Sequence, residues 1–180
     1  MIFREMTPEQ GEAFYETHLR RDFPASELKS WAVMRQAYSR GKYDLLAAYE
    51  GDRLVGYSWQ YVPRQGAILV DYLAIVPELR GRGYGTALLQ ALEAYYRPAD
   101  RRLILESEYP GEAPDTALAQ RRLDFYYRAG LVDSGVQTRL FGVRFCILTF
   151  GEMENPRRAI EEIYRDMLEG ELYHQLFAIL

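Results

Sequence analysis

The sequence is poor in the residues that form covalent crosslinks and metal centres. Cys146 is its single cysteine, so an internal disulfide is impossible, which is typical of proteins kept in a reducing compartment. The two histidines, His18 and His174, stand alone without the spacing of metal ligands. We therefore predict that the protein uses no metal.

Long apolar runs are also absent. None approaches the roughly 18 residues that a membrane-spanning helix requires. The first ten residues, MIFREMTPEQ, carry acidic side chains and no long apolar region, which is unlike a signal peptide. Together with the lone cysteine, these absences predict a cytoplasmic protein with no membrane partner.

A strong excess of one charge is missing as well. The 22 Lys and Arg residues against 26 Asp and Glu residues give a net charge of −4, which argues against a general nucleic-acid binder and mildly favours a cationic substrate. With 180 residues, of which 48% are hydrophobic, the chain is long and apolar enough to fold around a core of its own.

The clearest motif is a strand, a glycine-rich turn and a helix in direct succession. Ile68 to Val76 is an apolar run typical of a buried strand. Arg80 to Gly85 then carries three glycines at alternate positions, and Thr86 to Tyr96 repeats apolar residues at helical spacing. Glycines let backbone N–H groups approach an anion, and a helix start leaves such groups unpaired, so the motif predicts a phosphate or pyrophosphate site.

The spacing of the glycines separates the possible phosphate ligands. Gly81, Gly83 and Gly85 form GxGxG, one residue shorter than the dinucleotide fingerprint GxGxxG. Gly85 is followed by Thr-Ala, whereas a nucleoside-triphosphate loop requires Lys-Ser or Lys-Thr there. A nucleotide-binding enzyme is therefore disfavoured.

The run instead resembles the acetyl-CoA loop of the GCN5-related N-acetyltransferases (the GNAT superfamily). Arg80, Gly83 and Gly85 match its Arg/Gln-x-x-Gly-x-Gly/Ala pattern, and the preceding Leu73 to Gly81 is close to its usual preamble. Phe125 to Leu131 resembles the second signature of the superfamily, with Leu131 where phenylalanine is usual. The resemblance covers roughly residues 2–150.

Within the superfamily the sequence is similar to a bacterial group for which no particular acceptor is implied. The shared features are Asp22-Phe23-Pro24, Asp71-Tyr72-Leu73-Ala74, Leu105-Glu106-x-Glu108 and Leu140-Phe141-Gly142-Val143.

The resemblance implies an α/β (α+β) fold. We expect a mixed, mostly antiparallel central sheet of six to seven strands flanked by helices, including one from Ser26 to Arg40. Residues 1–150 would form the acetyltransferase domain. Residues 151–180 would form a C-terminal helical extension, and its apolar stripe, which includes Ile160 and Ile163, would pack on the domain or on a second copy in a homodimer.

The resemblance also implies acetyl-CoA as co-substrate. Its pantetheine arm would enter where a bulge parts the Ile68 to Val76 strand from the next one, and a backbone N–H near Leu73 to Ile75 would polarise the thioester. The expected acetyl-CoA contacts are Leu73, Ala74, Ile75, Arg80, Gly81, Arg82, Gly83, Tyr84, Gly85 and Thr86.

Acetyl transfer to an amine needs a base, because a primary amine with a pKa near about 10.4 must lose a proton before it attacks. The candidates are Glu106, Glu108 and Asp71, and Glu106 lies in mid-strand on the same face as Glu108. Either glutamate could instead form a structural ion pair with Arg121 or Arg122. Asp71, expected on the strand face of Leu73 and Ile75, could orient the amine.

Tyr126 is the position that matches the general acid of the superfamily. A phenol with a pKa of about 10 can protonate a leaving thiolate with modest help, although a tyrosine here could also anchor a core helix. The sequence thus predicts an N-acetyltransferase that passes the acetyl group of acetyl-CoA directly to a primary amine of a small acceptor. The alternative is a CoA-binding sensor or interaction module of the same fold without turnover.

Overall fold

The computed structural model describes residues 1–168 and 170–180, and within them the chain forms one eight-stranded sheet. The strand order is β1-β2-β3-β4-β5-β7-β6-β8, and each neighbouring pair is antiparallel except β4 with β5. The strands are β1 (Ile2–Glu5), β2 (Tyr43–Glu50), β3 (Arg53–Tyr61), β4 (Ile68–Ile75), β5 (Leu103–Glu108), β6 (Leu131–Leu140), β7 (Val143–Phe150) and β8 (Phe177–Ile179).

The expected mixed, mostly antiparallel sheet is confirmed, with one strand more than the predicted upper limit. The additional strand, β8, lies in the segment expected to be helical and pairs with β6, where Phe177 faces Leu140. Without β8, the strand β6 would expose unpaired backbone groups at an edge of the sheet, and the end of the chain covers that edge.

The helices are α1 (Pro8–Phe14), α2 (Trp31–Ser39), α3 (Tyr84–Tyr96), α4 (Thr116–Arg128), α5 (Pro156–Met167) and α6 (Glu171–Leu176). Local signals start several of them. Thr7 and Gln10 form a capping box at α1, and the Asp115 carboxylate accepts the Leu118 N–H at the start of α4. After α1 the first helical segment continues through a π-helical turn, Tyr15–Leu19, and ends with one short helical turn, Arg20–Asp22.

The helix α2 begins at Trp31, five residues later than the sequence pattern predicts. Tyr72 explains the difference, because its hydroxyl accepts from the Lys29 N–H at 2.8 Å and donates to the Glu27 carbonyl at 3.0 Å. These bonds hold the backbone before α2 against the sheet and away from helical pairing.

The sheet separates two main cores. On one face the buried side chains come from the π-helical turn, α2 and α5, including Leu19, Met34 and Ile163. On the other face they come from α3 and α4, including Leu92 and Leu123. The C-terminal helix α5 is therefore packed on the sheet of its own chain, while the division of the chain at residue 150 stays a prediction.

Candidate active site

The glycine loop between β4 and α3 has the backbone that an anion site requires. Gly81 and Gly83 adopt left-handed φ angles of +73° and +82°, which side-chain-bearing residues rarely adopt. Gly83 is the N-cap of α3, and both glycines are exposed. The unpaired N–H groups at the start of this 13-residue helix therefore adjoin an open loop.

Gly85 differs from Gly81 and Gly83 because it packs against a neighbouring helix. An added Cβ there would lie 2.9 Å from the Phe125 ring of α4, so glycine is required for close packing of α3 against α4. Tyr84 and Thr86, also predicted to contact acetyl-CoA, flank Gly85 and are half-buried, and the Tyr84 hydroxyl donates to Glu50 at 2.7 Å.

Arg80 holds the loop through its contacts with Ile75 and Asp22, although its side chain is 53% exposed. Its Nε donates to the Ile75 carbonyl at 2.9 Å, and its guanidinium lies 2.8 Å from Asp22 Oδ1. The Asp22 side chain is only 2% exposed and also accepts from Arg21 and Tyr57. Arg80 and Arg82 are both exposed, and their predicted contacts with the phosphates of acetyl-CoA stay a prediction.

Asp22 keeps its negative charge although it is buried. Burial raises the pKa of its carboxyl. Hydrogen bonds from Arg21 and Tyr57, together with the charges of Arg21 and Arg80, lower this pKa by a larger amount, so the net shift is downward. The ionised carboxylate therefore ties the end of the first helical segment to the glycine loop.

β4 and β5 part in the middle of the sheet. Their parallel pairing runs from Ile68 with Leu103 to Val70 with Leu105, and no pairing with β5 is present for Asp71 to Ile75. On the other side of β4, Trp59 pairs with Tyr72 and the adjacent Gln60 pairs with Val70, so Asp71 is the extra residue of a β-bulge. The edge of β4 that contains Leu73, Ala74 and Ile75 is thus open towards β5.

The bulge corrects the expected orientation of Asp71. Strict alternation predicts a shared face for Asp71, Leu73 and Ile75. In the structure the Asp71 carboxylate accepts from the Tyr43 hydroxyl at 2.6 Å, on the same face as buried Tyr72, whereas Leu73 packs with the core on the opposite face. The extra residue places Asp71 and Tyr72 consecutively on one face, and it was this register shift that the prediction lacked.

Asp71 also holds a lysine at the parting of the strands. Lys29, in the segment between the first helical region and α2, places its Nζ 2.5 Å from Asp71 Oδ1 and 5.6 Å from the centre of the Tyr72 ring. The Asp71 side chain is 9% exposed and that of Lys29 is 25% exposed. An ammonium group is therefore held beside the open edge of β4.

Glu106 lies on β5, one residue beyond the last pair with β4, and is partly buried. Its Oε2 accepts from the Tyr164 hydroxyl at 2.5 Å and its Oε1 from the Thr138 hydroxyl at 3.3 Å. Burial raises the pKa of Glu106 to about 7, against the lowering effects of Tyr164, Lys29 and Thr138. A carboxyl group poised near neutrality can exchange protons at working pH.

Glu108 has the structural partner that the sequence left open as an alternative. Its carboxylate lies 3.8 Å from Arg122 of α4, and it interacts electrostatically with Glu27. Burial raises the pKa of Glu27, Arg122 lowers it and Glu108 raises it again. Glu108 therefore belongs to a charged rim, while Glu106 lies deeper.

Tyr126 lies on α4, half-buried on the face of the sheet opposite Asp71 and Tyr43. Its ring packs at 5.2 Å from the ring of Phe125. Burial raises its pKa and the nearby Arg122 opposes the shift, so the phenol stays protonated at neutral pH. The structure thus places the predicted acid and the predicted base on opposite faces of the sheet.

The sequence model of the Acetyltransferase (GNAT) family matches residues 3–125. The chain belongs to the GNAT acetyltransferase family. The match includes the glycine loop, β5 and the first ten residues of α4. A search of curated protein sequences gives no match.

Solved structures share the GNAT fold of this chain. A GNAT-family protein from Bacteroides thetaiotaomicron is 21% identical with a TM-score of 0.74, and the alignment covers 92% of this chain and 95% of that one. An aminoglycoside 6′-N-acetyltransferase in complex with coenzyme A is 18% identical with a TM-score of 0.61, covering 85% and 99%. The ribosomal-protein-S18-alanine N-acetyltransferase of Escherichia coli is 15% identical with a TM-score of 0.58, covering 84% and 94%.

Four side chains of the candidate site were not identified from the sequence, namely Asp22, Tyr164, Lys29 and Tyr43. Asp22 had a signal, since Asp22-Phe23-Pro24 is one of the features shared with the bacterial group. Tyr164 had a weaker one, because a tyrosine in an apolar stripe needs a hydrogen-bond partner once it is buried. Lys29 and Tyr43 had none, because the fold alone brings them to Asp71.

Residues 1–168 and 170–180 contain no group of three or more His, Cys, Asp or Glu side chains arranged to hold a metal ion. Over the same ranges, no helix combines the length and the apolar character needed to cross a membrane.

Proposed function

We propose that this chain is an acetyl-CoA-dependent N-acetyltransferase that acetylates a primary amine of a small acceptor. The observation that carries the proposal is the parting of β4 from β5 directly beside Glu106. It leaves the backbone of Asp71 to Ile75 unpaired towards β5, next to the glycine loop at the start of α3. Family membership supports the same reaction class.

The residues around this opening fit acetyl-CoA. Gly81 and Gly83 expose a left-handed backbone that would receive the pyrophosphate, and the N-terminus of α3 adds its unpaired N–H groups. The unpaired stretch Leu73 to Ile75 offers backbone groups to the pantetheine amides and to the thioester oxygen. Bound acetyl-CoA supplies an activated acetyl thioester at this point.

Proton transfer falls to groups already present in the chain. Glu106, with a pKa of about 7, accepts the proton that the attacking amine must lose. Tyr126 stays protonated at neutral pH and donates a proton to the leaving thiolate from the other face of the sheet.

The charges around the opening support a cationic acceptor. Asp71 pairs with the Lys29 ammonium at 2.5 Å, so one cation of the chain already lies beside the open edge of β4. Glu27 and Glu108 add carboxylates that interact with each other, against the single guanidinium of Arg122. An acceptor ammonium is therefore attracted to the rim before it loses its proton.

The test is release of free CoA thiol from acetyl-CoA across a panel of amines that includes short amines, polyamines, aminoglycosides, lysine and peptide N-termini. We expect saturable turnover on at least one small cationic amine. Tyr126→Phe should lower kcat by about tenfold to a thousandfold while acetyl-CoA still binds. Tyr127→Phe, the same change at the exposed neighbour, is the matched control and should leave kcat unchanged.

The alternative is a CoA-binding module without turnover. It is favoured by the internal partners of the two deepest carboxylates, since Lys29 occupies Asp71 and Tyr164 occupies Glu106. Saturable acetyl-CoA binding by calorimetry, with no thiol release on any amine of the panel, would establish this alternative and reject the enzymatic proposal.

A further inference from the structure

The candidate base is bonded to a residue outside the stretch that the family model matches. Tyr164 lies on α5, and the family match ends at residue 125. Its hydroxyl donates to Glu106 Oε2 at 2.5 Å across 58 positions of sequence. The C-terminal segment therefore reaches the centre of the sheet and contacts the group on which proton transfer depends.

Tyr164 is held too firmly for this contact to be incidental. Its side chain is 1% exposed, and its ring stacks on Phe177 with centroids 4.4 Å apart and planes at 22°. Ile160 and Ile163, one turn and one residue earlier on α5, are equally buried. A buried tyrosine requires a hydrogen-bond partner, and the Glu106 carboxylate provides it.

The other groups that face Glu106 come from three further elements. Thr138 of β6 donates to Oε1, Lys29 from the segment before α2 attracts the negative charge, and Asp71 of β4 repels it. The carboxylate is thus approached by two hydroxyl donors, one cation and one anion. Of the two hydroxyl bonds, that from Tyr164 is shorter, 2.5 Å against 3.3 Å.

We propose that Tyr164 is a positioning residue that fixes the Glu106 carboxylate and favours its ionised form, so that the C-terminal helix sets the pH range in which the base works. The role of Glu106 as base rests on the proposed function. The bond between the two side chains does not, and the two can be tested separately.

The direction of the effect follows from the bond itself. A donor that bonds to a carboxylate stabilises the charged form and opposes the rise in pKa that burial causes. Removing the Tyr164 hydroxyl should therefore raise the pKa of Glu106 further. Fewer molecules would then carry the ionised base at neutral pH.

The first experiment measures the carboxyl group without any turnover. Infrared difference spectra of the full chain are recorded against pH, and subtraction of the Glu106→Gln spectrum isolates the band of Glu106. In Tyr164→Phe we expect the midpoint to move upward by on the order of one pH unit. Tyr173→Phe is the matched control, because Tyr173 lies in the same segment but its hydroxyl bonds to Glu161.

The second experiment is the pH profile of kcat/KM for an amine that the parent acetylates. The acidic limb should move in the same direction in Tyr164→Phe. The rate should fall by about tenfold below the shifted midpoint and recover at higher pH, as expected when only the protonation of a base has changed. A purely structural role would lower the folded fraction at every pH and leave the shape of the profile unchanged.

A third variant keeps the proposal testable if Tyr164→Phe does not fold. Incorporation of difluorotyrosine at position 164 retains the hydroxyl and makes it a stronger donor, so the Glu106 midpoint should move downward. Unchanged midpoints in the folded variants would overturn the positioning role. A shifted midpoint in a protein that acetylates no amine would retain the positioning role and reject the proposed function instead.

Discussion

At the scale of single residues, Glu106 is the side chain of this site at which burial and ionisation oppose each other. The side chain is partly withdrawn from water, and burial raises its pKa to about 7, from the 4.5 that an exposed glutamate has. The same burial that makes a carboxylate useful as a base near neutrality also makes its ionised form costly to the fold. The cost appears as a pH dependence of stability.

The sign of that dependence is fixed by the direction of the shift. A carboxyl whose pKa is raised in the folded protein contributes stability that is fully present below about pH 4.5 and is lost as the pH rises through about 7. Glu106→Gln removes this contribution. Relative to the variant, the parent should lose free energy of unfolding between these values, with a slope of at most about 1.4 kcal/mol per pH unit.

The measurement is urea unfolding of both proteins at a series of pH values. Glu112→Gln is a control of opposite sign, because bonds from Arg144 and Arg139 lower the pKa of exposed Glu112. Its removal should cost stability above about pH 4.5, so the two variants should diverge from the parent in opposite directions. Parallel curves for the parent and Glu106→Gln would contradict the assignment of a raised pKa.

At the scale of elements, local signals in the sequence were sufficient for most of the fold. The strand predicted from Ile68 to Val76 is β4, which ends one residue earlier, and the helix predicted from Thr86 to Tyr96 is α3, which begins two residues earlier. The bulge at Asp71 could not be predicted in the same way. It depends on how β4 is registered against β3, which is a property of two strands and not of one.

The contacts that build the site share this non-local origin. Tyr164 with Glu106 and Lys29 with Asp71 join positions 58 and 42 residues apart. Candidate carboxylates could therefore be found from strand periodicity, whereas their partners could not. The backbone of the glycine loop could be predicted, because the left-handed conformations of Gly81 and Gly83 follow from the residues themselves.

A test at this scale concerns that loop. Gly83→Val should remove most of the stabilisation by acetyl-CoA, because a β-branched residue is strained at a φ of +82° and would disturb the N-cap of α3. Gly41→Val is the matched control, since Gly41 also has a left-handed φ, +67°, and open space around it. Gly83→Val and Gly41→Val should introduce similar backbone strain, but only Gly83→Val introduces it in the glycine loop.

The readout is the thermal shift with acetyl-CoA, each variant being compared with its own ligand-free state. A ligand at 100 times its Kd stabilises the folded state by about 2.7 kcal/mol, so retention of the parent shift would be clearly visible. A full shift in Gly83→Val would remove the loop from the acetyl-CoA site. Loss of the shift in Gly41→Val as well would attribute the effect to strain in general.

At the scale of the whole molecule, the C-terminal segment contacts the rest of the chain in two places. β8 extends the sheet beyond β6, and α5 covers the face that carries Glu106 and Asp71. Truncating this segment would therefore remove a core contribution and a contact of the active site together. Single substitutions can separate the two.

Ile163→Ala tests the core contribution alone. Ile163 is 1% exposed within the single chain and is adjacent to Tyr164, so its truncation should leave a cavity and lower the free energy of unfolding by about 2–5 kcal/mol. Leu172→Ala is the matched control, because Leu172 belongs to the same segment but is 51% exposed, and its change should stay within about 0.5 kcal/mol.

Protein concentration distinguishes packing within the chain from packing on a second copy. Because Ile163 is buried by its own chain, the denaturant midpoints of the parent and of Ile163→Ala should not change over a hundredfold range of concentration. If a second copy also packs on this segment, the midpoint of the parent should rise with concentration by mass action. A concentration-dependent parent midpoint would therefore show that contacts between chains add to the packing within the chain.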